Sequence, residues 1–321
     1  MTLLGIDVGG TKVVLVVGDR EGRPLARLRR PMSRTGDWRR DVDELIADAR
    51  RLLADAPGAG SGRLEAIGLS VPGPVDAPRG VLRNPPNLVG WRDVPIGRVL
   101  SQALDAPVRV ENDANAAVLA EHRFGAGRGV DDLVYLTMST GVGGGVIAGG
   151  RLVRGAFGGA GEAGHIPIEP GGRVCACGLR GCLEAYVGGH AWRDRLREVV
   201  PASSLVVEIV GGDREQVGPE ALLEAARRAD AFALEELGRW LDRLAQGLAA
   251  IVMLLEPRRV VLGTIAAAAG EALCFAPLRA RLAERLWPHQ LEQLEIVPSA
   301  LGEDLPALAG LAVALPDPAE A

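Results

Sequence analysis

The chain has 321 residues, of which 48% are hydrophobic and 24% are charged, and its formal net charge is −5. These proportions are ordinary for a globular protein, and this length allows one large domain or two medium ones. The acidic balance argues against a nucleic-acid partner. The apolar stretches suit neither a membrane span nor a secretory signal, so we expect a cytoplasmic protein.

The first part of the chain alternates strand and helix patterns. Apolar runs over residues 3–8 and 13–17 flank a pair of glycines, and Glu21-Gly22 forms a turn before a third strand, which together predict a β-meander. The elements predicted next are a helix over 41–54, strands over 64–71 and 108–110, and a helix over 114–124.

The opening pattern then recurs. A strand over 133–138 is followed by a glycine turn over 141–145 and a second strand over 146–148. A repeated strand–turn–strand unit predicts two related domains. Helical patterns dominate after residue 188, with a last inner strand over 260–263 and a closing helix over 305–315.

The two glycine turns are candidates for phosphate binding. Glycines between two strands let a phosphate approach the backbone N–H groups closely, although a single such turn is often only a hairpin. Next to Gly9 and Gly10, Asp7 can hold Mg²⁺ through water, Thr11 adds a hydroxyl donor, and Lys12 offsets phosphate charge. In the second turn, the candidates for phosphate binding are Thr140, Gly141, Gly143 and Gly144.

Three of the four cysteines lie within eight residues, at Cys175, Cys177 and Cys182, and His165 stands ten residues before the first of them. In a cytosolic protein, such clustering indicates a metal site rather than disulfides. Three thiolates and an imidazole complete a tetrahedral Zn²⁺ site. With no open position, this zinc is expected to be structural.

Seven segments occur in order along the first 189 residues: IDVGGTK (6–12), SVPGPVD (70–76), NPPNLVGW (84–91), VENDANAAVLAEHRFGAG (110–127), LTMSTGVGGGVIAGGRLVRG (136–155), GEAGHIPI (161–168) and CACGLRGCLEAYVGG (175–189). In these segments the chain resembles the ROK family of bacterial sugar kinases and repressors, and within it the glucokinase branch. The resemblance implies the α/β, actin-like (ribonuclease H-like) sugar kinase fold, with two domains and an interdomain cleft for ATP and sugar. We expect a smaller domain over 1–113, completed by a C-terminal helix over 304–321, and a larger domain over 114–303 that carries the zinc site.

The resemblance also assigns roles to individual residues. Asp113 would be the catalytic base, which accepts the proton of the sugar hydroxyl as that hydroxyl attacks the γ-phosphate of ATP. Its place before a predicted helix favours the ionised carboxylate but would equally suit an N-cap. The residues expected to contact the sugar are Asn87, Asn112, Asp113, Glu162, His165 and Glu184.

Two positions depart from the family pattern. In the third nucleotide segment only Gly263 remains, and Thr264 and Ile265 follow where the resemblance implies close approach of the backbone to the adenosine. A β-branched residue such as Ile resists positive φ, so altered nucleotide affinity or choice is expected. Gly188 stands where family members often have Ser, which removes one polar contact.

The function implied is Mg²⁺-dependent transfer of phosphate from ATP to D-glucose, giving glucose 6-phosphate and ADP, a step of carbohydrate metabolism in glycolysis. A homodimer is what the resemblance suggests. The alternatives are a kinase for fructose, mannose or an N-acetylhexosamine, and a sugar-binding protein without catalysis. A transcriptional repressor is not favoured, because the first phosphate strand begins at residue 3 and leaves no room for a helix-turn-helix module before it.

Overall fold

Two five-stranded sheets organise the chain, and both have the same strand order. The computed structural model describes residues 2–57 and 63–317. The strands of the first sheet, in the order β3-β2-β1-β4-β7, are β1 (Thr2–Val8), β2 (Lys12–Gly18), β3 (Pro24–Pro31), β4 (Leu64–Val71) and β7 (Val108–Asn112). Those of the second, in the order β10-β9-β8-β11-β12, are β8 (Leu133–Met138), β9 (Val142–Ala148), β10 (Arg151–Leu152), β11 (Arg259–Leu262) and β12 (Glu295–Pro298). The predicted recurrence of the opening pattern is therefore confirmed.

Helices connect these strands, and a separate hairpin of β5 (Val75–Asp76) and β6 (Val81–Leu82) follows β4. The helices are α1 (Trp38–Asp55), α2 (Ile96–Leu104), α3 (Asp113–Phe124), α4 (Glu184–Val187), α5 (Gly189–Val199), α6 (Leu205–Ile209), α7 (Pro219–Arg227), α8 (Ala231–Leu255), α9 (Thr264–Gly270), α10 (Ala276–Ala283), α11 (Pro288–Gln293) and α12 (Leu305–Ala314). Among the described residues, no helix is long and apolar enough to cross a membrane.

The chain forms two compact units. Unit 1 comprises Met1–Asp131, Gly145–Gly161 and Ala300–Ala321, and unit 2 comprises Asp132–Gly144 and Glu162–Ser299. The predicted boundary after residue 113 does not coincide with this division, because α3 packs on α12 within unit 1. The predicted closing helix corresponds to α12, and residues 318–321 of that prediction lie outside the described residues.

In unit 1, alternating side chains of the strands are buried on both faces of the sheet. Leu4 and Ile6 of β1 pack in the cluster that includes α1, whereas Leu3 packs in the cluster that includes α12. This is the two-residue period of a strand covered on both faces. Helix α12 lies so close that a Cβ added to Gly68 would be 2.1 Å from the Gly310 carbonyl oxygen. The parallel strands β1, β4 and β7 are thereby held rigidly, with their carboxyl ends at one edge.

The glycine turn predicted over 141–145 is shorter in the structure. Strand β9 already begins at Val142, so Gly143 and Gly144 lie within a strand and the turn is at residues 139–141. Gly145, also in β9, shows why glycine is useful in this strand, because a Cβ there would be 2.7 Å from the Ala114 carbonyl oxygen. Glycine therefore serves close packing as well as turning.

Candidate active site and metal centre

Polar residues occupy the last position but one of three adjacent parallel strands of unit 1. Asp7 of β1 is in register with Ser70 of β4, and Ser70 is in register with Glu111 of β7. The Ser70 hydroxyl donates to Asp7 Oδ1 at 2.7 Å. Ligands of open α/β sheets bind at the carboxyl ends of the strands, so this row is a candidate site.

The carboxylate of Asp7 is electrostatically unusual. Burial raises its pKa from 3.8 to about 6; the Asp113 carboxylate adds to the rise, whereas the Ser70 hydrogen bond and the Lys12 ammonium oppose it. Asp7 and Asp113 are therefore near enough to influence each other. A buried carboxylate beside a second carboxylate is well placed to attract a cation.

The first glycine turn joins β1 to β2 and is fixed by local contacts. The Gly9 N–H donates to the Lys12 carbonyl at 2.9 Å, and Nε of Arg34 donates to the Gly10 carbonyl at 2.8 Å. Asn87 packs on the same turn, because a Cβ added to Gly10 would lie 3.1 Å from the Asn87 Cβ. Lys12 and Arg34 thus give the turn two positive charges. Arg34 was not identified from the sequence, since its position after β3 does not reveal that its side chain returns to Gly10.

Asn112 and Asp113 have different structural roles at the start of α3. The N-cap is Asn112, whose Oδ1 accepts from the Asn115 N–H at 2.7 Å. Asp113 is the first helical residue, is exposed, and accepts from the Ala114 N–H at 2.9 Å. The N-cap role considered for Asp113 therefore belongs to Asn112. The helix N-terminus favours the charged form of the Asp113 carboxylate.

A buried ion pair supports this helix start. Glu111 is 4% exposed; its Oε1 accepts from Asn115 Nδ2 at 3.0 Å, and its Oε2 accepts from Arg154 Nε at 2.7 Å. Arg154 also donates to Asp317 at 2.9 Å. Charged, multiply bonded side chains of this kind hold a backbone segment in one position. Glu111 belongs to the Glu-Asn-Asp motif of residues 111–113, but no sequence pattern predicted its ion pair with Arg154.

In unit 2, the turn at residues 139–141 is held by the start of α4 and α5. Glu184 Oε2 accepts from the Val142 N–H at 2.8 Å, and the N–H groups of Gly189 and His190 donate to Ser139 and Thr140 at 2.8 and 2.9 Å. A Cβ added to Gly141 would be 2.3 Å from Glu184 Oε2. Glu184, predicted as a sugar ligand, therefore also supports the glycine turn.

The departure at Gly188 has a packing reason. A Cβ there would lie 2.8 Å from the Glu184 carbonyl oxygen and 3.4 Å from the Gly141 Cα. In this chain, glycine lets the turn and α4 approach closely, which a serine would oppose.

His165, Cys175, Cys177 and Cys182 lie together, with one ligand atom from each within 4.8 Å of the others. The distance from Cys177 Sγ to Cys182 Sγ is 3.8 Å, and that from Cys175 Sγ to His165 Nδ1 is 3.7 Å. A tetrahedron with Zn–S bonds of about 2.3 Å has edges of about 3.8 Å, so the arrangement fits zinc. Burial raises the pKa of the Cys175 thiol to about 12, so a thiolate there needs a cation.

The same cluster touches the other predicted sugar ligands. His165 Nδ1 is the nitrogen that faces the sulfurs, and its Nε2 lies 4.0 Å from Glu162 Oε2. The Cys175 thiol donates to Glu184 Oε1 at 3.4 Å. A metal here would fix the orientation of His165. Because it would bind Cys175 as the thiolate, the hydrogen bond from the Cys175 thiol to Glu184 belongs to the metal-free cluster.

In the third predicted nucleotide segment, residues 263–265, the backbone strain lies one residue earlier than expected. Gly263 is extended, with φ −97°, and the positive φ of 46° belongs to Thr264 rather than to Ile265. Thr264 Oγ1 donates to the Met138 carbonyl and lies 3.3 Å from the Thr137 hydroxyl. These bonds hold a β-branched residue in a left-handed conformation, which is a genuine outlier.

The ROK family profile matches residues 3–316. The chain belongs to the ROK family. A glucokinase of Thermotoga maritima is 37% identical over 306 residues, which are 95% of this chain and 94% of that protein. A ROK hexokinase structure from Thermus thermophilus matches with a TM-score of 0.82 and 36% identity over 98% of each chain. A ROK family glucokinase from Streptomyces griseus, solved in complex with glucose and AMPPNP, matches with a TM-score of 0.78 and 32% identity over 98% of this chain and 99% of that one. The predicted family and actin-like sugar kinase fold are confirmed.

A first prediction concerns the candidate metal cluster of this ROK protein. Cys177→Ser should lower the zinc content well below one ion per chain and destabilise the protein by at least about 4 kcal/mol, because metal binding energy contributes to folding. Zinc can be measured by elemental analysis and stability by urea unfolding. Cys274→Ala, which removes the buried cysteine outside the cluster, should keep its zinc. Equal zinc in the two variants would refute the site.

A second prediction follows from the raised pKa of Asp7. The stability that its protonated form contributes is complete below pH 3.8 and is lost as the pH rises through about 6. Relative to Asp7→Asn, the wild type should therefore lose up to about 3 kcal/mol of unfolding free energy between pH 4 and pH 7, without divalent cations. Urea unfolding at several pH values measures this. Asp105→Asn, at an exposed position, is the control, and curves for wild type and Asp7→Asn that run parallel would contradict the expectation.

A third prediction tests the strain at Thr264. Helix propensity alone makes Ala about 1 kcal/mol more stable than Gly. Because this position has positive φ, we expect the reverse order, with Thr264→Gly more stable than Thr264→Ala by about 1 kcal/mol. Both variants lose the hydroxyl bonds, so their difference isolates the backbone term. Urea unfolding that ranks Thr264→Ala above Thr264→Gly would rule out the strained conformation.

Proposed function

We propose that this ROK protein is an ATP-dependent glucokinase that converts D-glucose and ATP to glucose 6-phosphate and ADP. The observation that carries the proposal is the polar row at the carboxyl ends of β1, β4 and β7, where Asp7 and Asp113 influence each other beside a glycine turn. The similarity to glucokinases, one of them solved with glucose and AMPPNP, supports this choice.

Asp113 acts as the general base. Its carboxylate accepts the proton of the sugar hydroxyl while the hydroxyl oxygen forms a bond to the γ-phosphorus, and the bond from that phosphorus to the β–γ bridging oxygen breaks to release ADP. The carboxylate lies at the N-terminus of α3, where the helix dipole attracts negative charge, and the bonds of Glu111 to Asn115 and Arg154 keep the helix start in place. Asn112 contacts the sugar through its side-chain amide.

The phosphates are bound by the glycine turns. The first turn consists of Gly9, Gly10 and Thr11, and the positive charges of Lys12 and Arg34 lie beside it. The residues of unit 2 that we assign to the nucleotide are Thr140, Gly141, Gly143, Gly144 and Gly263. Mg²⁺ fits the first turn, because the buried carboxylate of Asp7 is an oxygen ligand whose charge needs a partner. When bound, it would neutralise charge on the transferred phosphate.

The sugar hydroxyls are contacted by Asn87, Glu162, His165 and Glu184 in addition to Asn112 and Asp113. Zinc would bind Nδ1 of His165, which leaves Nε2 for a hydroxyl. Glu184 accepts from the Val142 N–H through one oxygen, so the sugar would share this carboxylate with the glycine turn. Zinc is structural in this proposal, since the four protein ligands complete a tetrahedron.

A fourth prediction tests the base. Asp113→Asn should lower kcat by about 10²–10⁴-fold, the contribution typical of a positioned base, and leave the affinity for glucose nearly unchanged. ADP release measured with glucose, fructose, mannose and N-acetylglucosamine gives both the activity and the preferred sugar. Asp105→Asn, with an exposed side chain at the end of α2, serves as the matched control. Glucose binding without ADP release in the wild type, or full turnover in Asp113→Asn, would disprove the proposal.

A further inference from the structure

Two loops of unit 1 pack on the first glycine turn. The Arg34 loop, residues 33–37, follows β3, and Arg34 Nε donates to the Gly10 carbonyl at 2.8 Å. The Asn87 loop, residues 84–91, precedes α2, and a Cβ added to Gly10 would lie 3.1 Å from the Asn87 Cβ. Neither loop contains a helix or strand, so side-chain contacts contribute to its position.

Both loops are hydrogen-bonded to one buried carboxylate, that of Asp41. This residue lies in the first turn of α1 and is 1% exposed. Its Oδ1 accepts from the Thr35 hydroxyl at 2.8 Å, and its Oδ2 accepts from Trp91 Nε1 at 3.0 Å. Each carboxylate oxygen therefore bonds a different loop. The positive end of the helix dipole favours a carboxylate in this first turn.

The hydrogen bond from Trp91 is made inside the protein. Trp91 is 1% exposed, so its indole N–H is shielded from solvent. A buried donor that loses its acceptor is strongly unfavourable, whereas the hydroxyl of the exposed Thr35 can bond to water instead. Removal of the Asp41 carboxylate would therefore favour arrangements in which the Trp91 ring, and the Asn87 loop with it, has moved.

The two loops lie side by side. A Cβ added to Gly90 of the Asn87 loop would be 2.1 Å from the carbonyl oxygen of Gly36 in the Arg34 loop, and the φ of Gly90 is 83°. Only glycine allows this approach. The carboxylate of Asp41 thus lies at a junction from which it reaches both loops, and each loop in turn contacts Gly10.

We infer that Asp41 is a positioning residue for both substrates. Through Thr35 it places Arg34 beside the phosphates, and through Trp91 it places Asn87 at the sugar. Asp41 contacts neither substrate itself, because its carboxylate is buried and both of its oxygens are bonded to the loops. The inference rests on the proposed function, since it needs phosphate at the first glycine turn and sugar at Asn87.

The simpler alternative is that Asp41 only stabilises the fold, and Leu52 provides the comparison. Leu52 is buried on the same helix, about 16 Å further along α1. Leu52→Ala should destabilise the protein, as the loss of a buried leucine side chain does, and leave both loops in place. It is therefore the matched control for a loss of stability without a loss of positioning.

Hydrogen exchange of the chain without substrates tests the contacts themselves. The N–H groups of Leu88 and Trp91 donate to the Pro85 and Leu88 carbonyls at 3.1 and 3.2 Å. Asp41→Ala should speed the exchange of these two amides at least about tenfold, because the Asn87 loop opens more often, whereas Leu52→Ala should not. Unchanged exchange in Asp41→Ala would overturn the inference whether or not the protein is a kinase.

Steady-state kinetics of ADP release with glucose tests the positioning. Asp41→Ala should raise the KM for glucose at least about tenfold and that for ATP at least about threefold, in the ranges of an unpaired buried donor and of an ordinary hydrogen bond. The kcat should change less than either KM. Asp41→Asn should recover much of both losses, since its Oδ1 can accept from Trp91 and its Nδ2 can donate to the Thr35 hydroxyl. Leu52→Ala should keep both KM values within about twofold of the wild type.

Single variants separate the two loops. Thr35→Val removes the donor to Oδ1 and should raise the KM for ATP more than that for glucose. Trp91→Phe removes the donor to Oδ2 and should do the reverse. Identical effects of the two variants would overturn the assignment of one loop to each substrate. Should Asp41→Ala not fold, these two variants carry the test in its place.

The remaining outcomes distinguish this inference from the proposed function. KM values that rise equally in Asp41→Ala and Leu52→Ala, or that Asp41→Asn does not recover, would show that Asp41 acts on stability alone and would overturn the inference. Full wild-type activity with unchanged KM values in Asp41→Ala would overturn it as well, while the proposed function stands. A wild type without glucose-dependent ADP release would disprove the proposed function, and the positioning role with it.

Discussion

The close approach of His165, Cys175, Cys177 and Cys182 is the constraint around which the candidate sugar residues of unit 2 are arranged. The chain between β10 and α4 contains one short 3₁₀ helix, Ala163–His165, and its backbone is otherwise ordered by turn hydrogen bonds and by the isolated bridges Pro167–Cys182 and Val174–Arg180. Bonds from one metal ion to four side chains would join residues ten and more positions apart. Structural zinc sites contribute folding free energy in this way.

The influence of the cluster extends through Glu184. One oxygen of this carboxylate lies 3.4 Å from Cys175 Sγ, and the other accepts from the N–H of Val142 next to the glycine turn. Glu184 therefore contacts both a candidate metal ligand and a proposed phosphate turn. In unit 1, an ion pair supports the candidate site in a similar way. Arg154 and Glu111 hold the start of α3, where Asp113 lies. In each unit, charged side chains thus support the candidate site residues.

The two sheets show how one strand pattern can carry different chemistry. Both have an antiparallel hairpin beside parallel strands in the same order. The first has Asp7, Ser70 and Glu111 at the last position but one of its parallel strands, whereas the second places the strained Thr264 after β11 and before α9. Backbone strain of this kind persists only where surrounding contacts compensate for it, and here the Met138 carbonyl and the Thr137 hydroxyl do so.

The sequence by itself determined the strand–turn–strand repeat, because hydrophobic periodicity and glycine pairs are local properties of a chain. The resemblance of its motifs predicted the family and the fold, which are confirmed. Cysteine spacing and the motifs also selected four candidate metal ligands and Asp113 as the candidate base, which stay predictions. Strands 64–71 and 133–138 have the predicted bounds in the structure. Only the tertiary structure decided that Asn112 caps α3, that Gly143 and Gly144 lie in a strand, and that Thr264 carries the positive φ. It alone brought Arg34 to Gly10 and Arg154 to Glu111. Such contacts join residues far apart in the chain, and their geometry depends on how side chains pack, which no local pattern encodes.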